Sequence, residues 1–142
     1  MLIDSNNISI DQADAAAAQT GVVIPLTSLL KPGREEPVCV YIRVSEQVCG
    51  GDGLTLKILQ ADKKDGEFAE AAKCEVKAED LLPGVPLGWR WLPPSVTKPW
   101  IKFVSEPKGE IEAGPKITCA VVREDPLDYE DGMYIDKGAL QC

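Results

Sequence analysis

Residues 83–104, PGVPLGWRWLPPSVTKPWIKFV, hold all three tryptophans (Trp89, Trp91, Trp100) and five of the eleven prolines. Proline has no backbone donor, so Pro93 and Pro94 must end any central strand pairing. The stretch therefore reads as two short strands joined by a stiff corner at residues 95–98. On the first strand Trp89 and Trp91 are two residues apart and share a face, with Arg90 opposite. The second strand starts at Trp100.

The rest of the chain follows the same grammar of short β-branched runs between Gly/Pro turns. Residues 38–48, VCVYIRVSEQV, alternate with period two. Val38, Val40, Ile42 and Val44 share one face, and Cys39, Tyr41, Arg43 and Ser45 the other. Residues 54–60, LTLKILQ, place Leu54, Leu56 and Ile58 on one face, opposite Thr55 and Lys57. The intervening CGGDG is a turn, so the two runs are expected to pair as an antiparallel hairpin. GVVIPL from Gly21 is a short strand that Pro25 confines to an edge or an end. Residues 31–37, KPGREEP, form a turn, and residues 61–70 a polar loop. Residues 72–78 carry a weak strand. Residues 116–123, KITCAVVR, read as a strand buried on both faces. Residues 8–20 contain four consecutive alanines, which favour helix. The stretch is short and lacks a helical apolar stripe, so it is expected to be extended or irregular.

The resulting fold class is all-β: an antiparallel jelly-roll-like β-barrel or sandwich of about seven or eight strands. At 142 residues the chain fits a single domain. It divides into an N-terminal arm (residues 1–20), a β-barrel core (21–123) and an acidic C-terminal tail (124–142).

The net charge is −8, and the tail holds six acids against Lys137. An acidic surface does not attract a phosphate backbone, so no nucleic-acid partner is expected. The apolar runs are too short to span a membrane. The start MLIDSNN lacks the marks of a signal peptide, which points to a reducing cytosol. The tail is either a solvated end that aids solubility or a peptide that lies on a basic partner. In the second case Leu127, Tyr129, Met133, Tyr134 and Ile135 are its apolar anchors.

Chemistry is sparse. No histidine occurs, so Ser-His-Asp and Cys-His mechanisms and His-based metal sites are absent. The five cysteines never form C-x-x-C, and an odd count without a leader argues for free thiols. Cys39 and Cys119 read as small core residues and Cys142 as exposed. CGGDG lacks the Lys and Ser/Thr of a P-loop. The loop around Gly66 puts Ala61, Lys63 and Ala72 at positions where a calcium loop needs ligands, and Asp131-Gly132 fails likewise. Paired acids such as Glu35/Glu36 and Glu79/Asp80 have no apolar wall to separate their pKa values. Asn7-Ile8-Ser9 is a glycosylation sequon without meaning in an unsecreted chain. No catalytic residue, metal ligand or cofactor is expected. Trp89, Trp91 and Trp100 remain as candidates for packing, for an interface, or for stacking on sugar rings in a carbohydrate-binding β-sandwich. A hydrolase on a β scaffold is a third, weaker reading.

Several blocks in order resemble the small cement (decoration) proteins of tailed-phage capsids, those of short-tailed phages in particular. They are MLIDSNN with Asp11-Gln12-Ala13, GVVIPL from Gly21, PVCVYIRVSEQV from Pro37, and GLTLKILQADKKDGEF from Gly53. PLGWRWLP from Pro86, PWIKFV from Pro99 and AGPKITCAVVRED from Ala113 complete the set. The likeness covers most of residues 1–130, and its weight lies in the ordered set. It implies a non-enzymatic virion protein with a jelly-roll-like body, sitting on the outside of the assembled head. Its partners would be the major capsid protein and further copies of itself, as a homodimer or homotrimer. Trp89, Trp91, Trp100, Leu127, Tyr129, Met133, Tyr134 and Ile135 are then candidates for the capsid or oligomer interface. No role for the cysteines or for the tail after Asp125 follows from the likeness.

Overall fold

The computed structural model describes residues 7–26 and 38–122. The acidic tail, with Leu127, Tyr129, Met133, Tyr134, Ile135 and Cys142, lies outside them, as does the expected turn at 31–37. Among the described residues the strands are β1 (Ile8–Asp14), β2 (Gln19–Thr20), β3 (Ile24–Pro25), β4 (Cys39–Val44), β5 (Gly53–Ala61), β6 (Ala69–Lys77), β7 (Trp100–Lys108) and β8 (Lys116–Val122). A 3-10 turn, Ala78–Asp80, follows β6.

All pairings are antiparallel, and they build two sheets. The smaller runs β1-β8-β4. The larger runs β2-β7-β5-β6, with β3 also on β7. The protein is an all-β sandwich. Period-two alternation fills the space between the sheets. Val40, Ile42 and Val44 stand opposite Val121, Cys119 and Ile117 across the β4–β8 ladder. Leu54, Leu56 and Ile58 on β5, Val76 on β6, and Ile101 and Phe103 on β7 complete one core cluster with them. Burying such side chains contributes about 1.5–3 kcal/mol each, which is what holds the sheets together.

The described part of the expected N-terminal arm lies in the sheets. β1 lines up along β8, and β2 along β7. The alanine tract between them is a turn. The Asp14 carboxylate accepts from the Ala16 amide at 2.9 Å, an Asx-type turn that competes with helix. Ile10 and Ala15 are buried, which anchors the segment. The sequon serine is also engaged. Ser9 Oγ donates to Val22 O at 2.8 Å and accepts from the Phe103 amide at 3.0 Å. The two sheets are thereby joined along their β1/β7 side.

The expected hairpin of residues 38–48 with 54–60 does not form. β4 and β5 lie in different sheets. β5 has β6 on one side and β7 on the other. β4 has β8 on one side, while its other edge is taken by residues 87–92. There Val40 donates to Arg90 O (2.9 Å), and Leu92 donates to Val38 O (2.7 Å). Residues 45–52 instead cross the end of the sandwich, where Val48 is buried and donates to Leu81 O at 3.2 Å. Glycines 50, 51 and 53, all at positive φ, let the chain turn there.

The expected strand at Trp89–Trp91 is reduced to an isolated bridge between Trp91 and Cys39. Gly88, at φ 67°, breaks the run just before it, and Pro93 ends it. A Cβ on Gly88 would sit 3.3 Å from Leu56 Cδ1 and 3.4 Å from Ile42 Cδ1, so this glycine lies where side chains of both sheets meet.

Cys39, Cys74 and Cys119 are not disulfide-bonded, and Cys39 and Cys119 are buried. Cys49 departs from the free-thiol expectation and is disulfide-bonded. An odd count forbids pairing all five cysteines, but it does not forbid pairing two.

Candidate interaction surface

The corner singled out in the sequence is held by a residue that the sequence does not advertise. Gln60, near the end of β5, reaches the turn at residues 95–98. Its Oε1 accepts from the Thr97 amide at 2.8 Å and from the Lys98 amide at 3.2 Å, and its Nε2 donates to Ser95 O at 3.4 Å. Lys98 Nζ adds an exposed ion pair with Asp62 Oδ1 at 2.9 Å. Within the corner Val96 is buried, and its amide donates to Pro93 O at 3.0 Å. One amide side chain thus satisfies three backbone groups of a loop that has no ladder of its own. A glutamine at a strand end carries no sequence signature of this role.

The three tryptophans separate. Trp89 is half-buried and packs against the core cluster. Trp91 is 39% exposed, and with Val22 it makes up the large exposed apolar side chains among the described residues. Two residues apart, Trp89 and Trp91 do not share an environment: the chain bends at Arg90, between them, and strand alternation does not hold there. Arg90 is not on the opposite face. Its guanidinium lies 4.9 Å from the centre of the Trp91 ring, in cation–π range. Trp100 begins β7, half-buried, opposite Pro25 and Ala61.

The outward face of the larger sheet is a charge ladder. Lys57 Nζ lies 3.4 Å from Glu106 Oε2, and Lys108 Nζ lies 3.3 Å from Glu75 Oε2. Lys102 Nζ sits 4.4 Å above the Phe68 ring. Such exposed pairs contribute little stability, about 0–1 kcal/mol each, but they fix which charges stand beside which.

Two thiols are displaced from their ordinary ionisation. Burial pushes the Cys119 thiol far up. The Cys74 thiol is raised by partial burial first and by the neighbouring Glu75 carboxylate second. Neither is an activated nucleophile, since the thiolate is the reactive form. Among the described residues no cluster of three or more Cys, Asp or Glu side chains is arranged to hold a metal ion.

The structure thus stacks Arg90 on Trp91, braces the corner at residues 95–98 through Gln60, and draws Trp89 inward. The other sequence-derived anchors, in the tail, are outside the described residues. No protein-family model and no curated protein matches the chain.

Proposed function

We propose that this chain is a capsid decoration protein, a non-enzymatic binder of the outer surface of an assembled phage head. The carrying observation is the order of the likeness. The blocks that resemble cement proteins include β3, β4, β5, β7 and β8, five strands of one sandwich. A jelly-roll-like course of those strands belongs to the same reading. The protein bridges neighbouring major capsid protein subunits, so it binds the lattice and not the free subunit. It stabilises the lattice by mass action. Weak contacts suffice, because several sites engaged at once raise the effective concentration.

The Arg90–Trp91 pair fits the chemistry of such a contact, since Trp and Arg are enriched at the centres of interfaces. The carbohydrate-binding alternative finds less support. A sugar platform needs an open ring face, and Arg90 is stacked on Trp91 while Trp89 packs inward. The test is co-sedimentation with undecorated heads, followed by heating of the decorated and undecorated particles. Decoration is expected to raise the temperature at which the heads open. A protein that stays in the supernatant overturns the reading.

A further inference from the structure

β6 (Ala69–Lys77) is the outermost strand of the larger sheet, and among the described residues it pairs with β5 alone. An edge of nine residues with no partner among the described residues is a template for another strand. The backbone directions along this edge can be read. The Ala78 amide donates inward to Asp52 O at 3.3 Å, and the Val76 carbonyl points at Gly53. Backbone groups alternate along a strand, so those of Cys74 also face β5, while those of Lys73 and Glu75 face outward.

We propose that two copies of the chain join through their β6 edges, antiparallel about a two-fold axis at Cys74, into one continuous sheet. In that register Lys73 of each copy faces Glu75 of the other, twice by symmetry, and these residues exchange their outward backbone hydrogen bonds. Ala72 meets Val76, and residues 71–77 of each strand are paired. The neighbouring registers are disfavoured by charge. Centring on Lys73 sets lysine against lysine. Centring on Glu75 sets glutamate against glutamate and Lys73 against Lys77. Centring on Val76 restores opposite charges but leaves only residues 75–77 paired. Centring on Ala72 sets no like charges opposite one another, but it pairs Lys73 with Ala71 and Glu75 with Ala69 and so gains no opposite-charge pair. Opposite charges facing one another are favourable and like charges are not, so of these registers the Cys74 one pairs the longest stretch that sets Lys73 against Glu75.

The register has a chemical consequence. Cys74 and its symmetry mate form a non-hydrogen-bonded pair, in which Cα atoms approach to about 4.5 Å. That spacing is within the range a disulfide spans. Cys74 is a free, half-buried thiol, so the two sulfurs face each other at the seam. This pairing stands independently of capsid binding.

The test uses the full chain. Sedimentation equilibrium is expected to show a dimer, and copper–phenanthroline oxidation is expected to link it through Cys74, mapped by peptide mass spectrometry. Lys73→Glu places glutamate against Glu75 twice and is expected to raise the dimer dissociation constant roughly ten-fold or more. Its own sheet tolerates the change, because Lys57 stands opposite Lys73. The double variant Lys73→Glu/Glu75→Lys restores the pairing. A monomer at all concentrations, a cross-link that excludes Cys74, or a Lys73→Glu dimer as tight as the parent overturns the proposal.

Discussion

The hydroxyl of Ser9 on β1 accepts the amide proton of Phe103 on β7, at 3.0 Å, and so ties one sheet of the sandwich to the other. It also donates to Val22 O at 2.8 Å, while the Val22 amide returns a bond to Ser9 O, again at 2.8 Å. The Phe103 carbonyl takes the Gly21 amide at 2.8 Å. Three chain segments thus share their polar groups around a side chain that is buried. Ser9→Ala leaves buried partners unsatisfied and is expected to cost about 1–3 kcal/mol in urea unfolding. Gly21→Ala is expected to cost more. Its Cβ would collide with Ser9 Oγ and sit 2.6 Å from Ser9 O, so removing the hydroxyl in Ser9→Ala does not rescue it.

Cys119 predicts a pH dependence. Its folded-state pKa is raised by burial, so the folded protein holds the proton while the unfolded chain releases it above about pH 8.5. The unfolded state then binds fewer protons, and stability falls as pH rises, by up to about 1.4 kcal/mol per pH unit. The contribution is complete below the unfolded pKa and drains away above it. Unfolding free energies measured from pH 7 to 10 are expected to fall more steeply for the parent than for Cys119→Ala. Parallel profiles would contradict this.

Gln60 braces the corner at residues 95–98 from outside the ladder. Gln60→Leu removes the acceptor for two amides, and hydrogen exchange at Thr97 and Lys98 is expected to accelerate. The groups are exposed, so the global cost is about 1 kcal/mol. Unchanged exchange at both amides would show that the corner holds itself.

The tryptophans are predicted to differ. Trp91→Ala is expected to leave stability within about 1 kcal/mol, because the side chain is 39% exposed and is not among those packed against the core cluster. Trp89→Ala removes packing against the core and is expected to cost at least about 2 kcal/mol. Thermal unfolding of the two variants separates them. Equal losses would put Trp91 in the core.

Much of this sandwich is legible in the sequence, and what is illegible has a physical cause. Alternation in VCVYIRV and LTLKILQ identifies the inward residues, Val40, Ile42, Leu54, Leu56 and Ile58, because burial on one face imposes period two. Alternation does not name the neighbour of a strand. The CGGDG loop is long enough to return within a sheet or to cross to the other, and only the claims already made on the edges of β4 and β5 decide between them. β8 is legible as a strand buried on both faces, since the consecutive residues Cys119, Ala120, Val121 and Val122 are all buried. The roles of Ser9 and Gln60 were not, because a hydrogen bond between segments 94 and 37 residues apart leaves no local pattern. The Trp89/Trp91 alternation fails because the run is no strand: left-handed Gly88 takes the chain out of strand geometry just before it, and the chain bends again at Arg90 between the two tryptophans.

Binding to an assembled head is the function proposed for this protein. The direct measurement is co-sedimentation of the purified chain with undecorated heads built from the major capsid protein of the same genome, with free capsid subunits as the control. The expected result is saturable binding to the heads and none to the free subunits, weakened by Trp91→Ala without loss of fold. Heads that pellet without the protein at saturating concentration would contradict it.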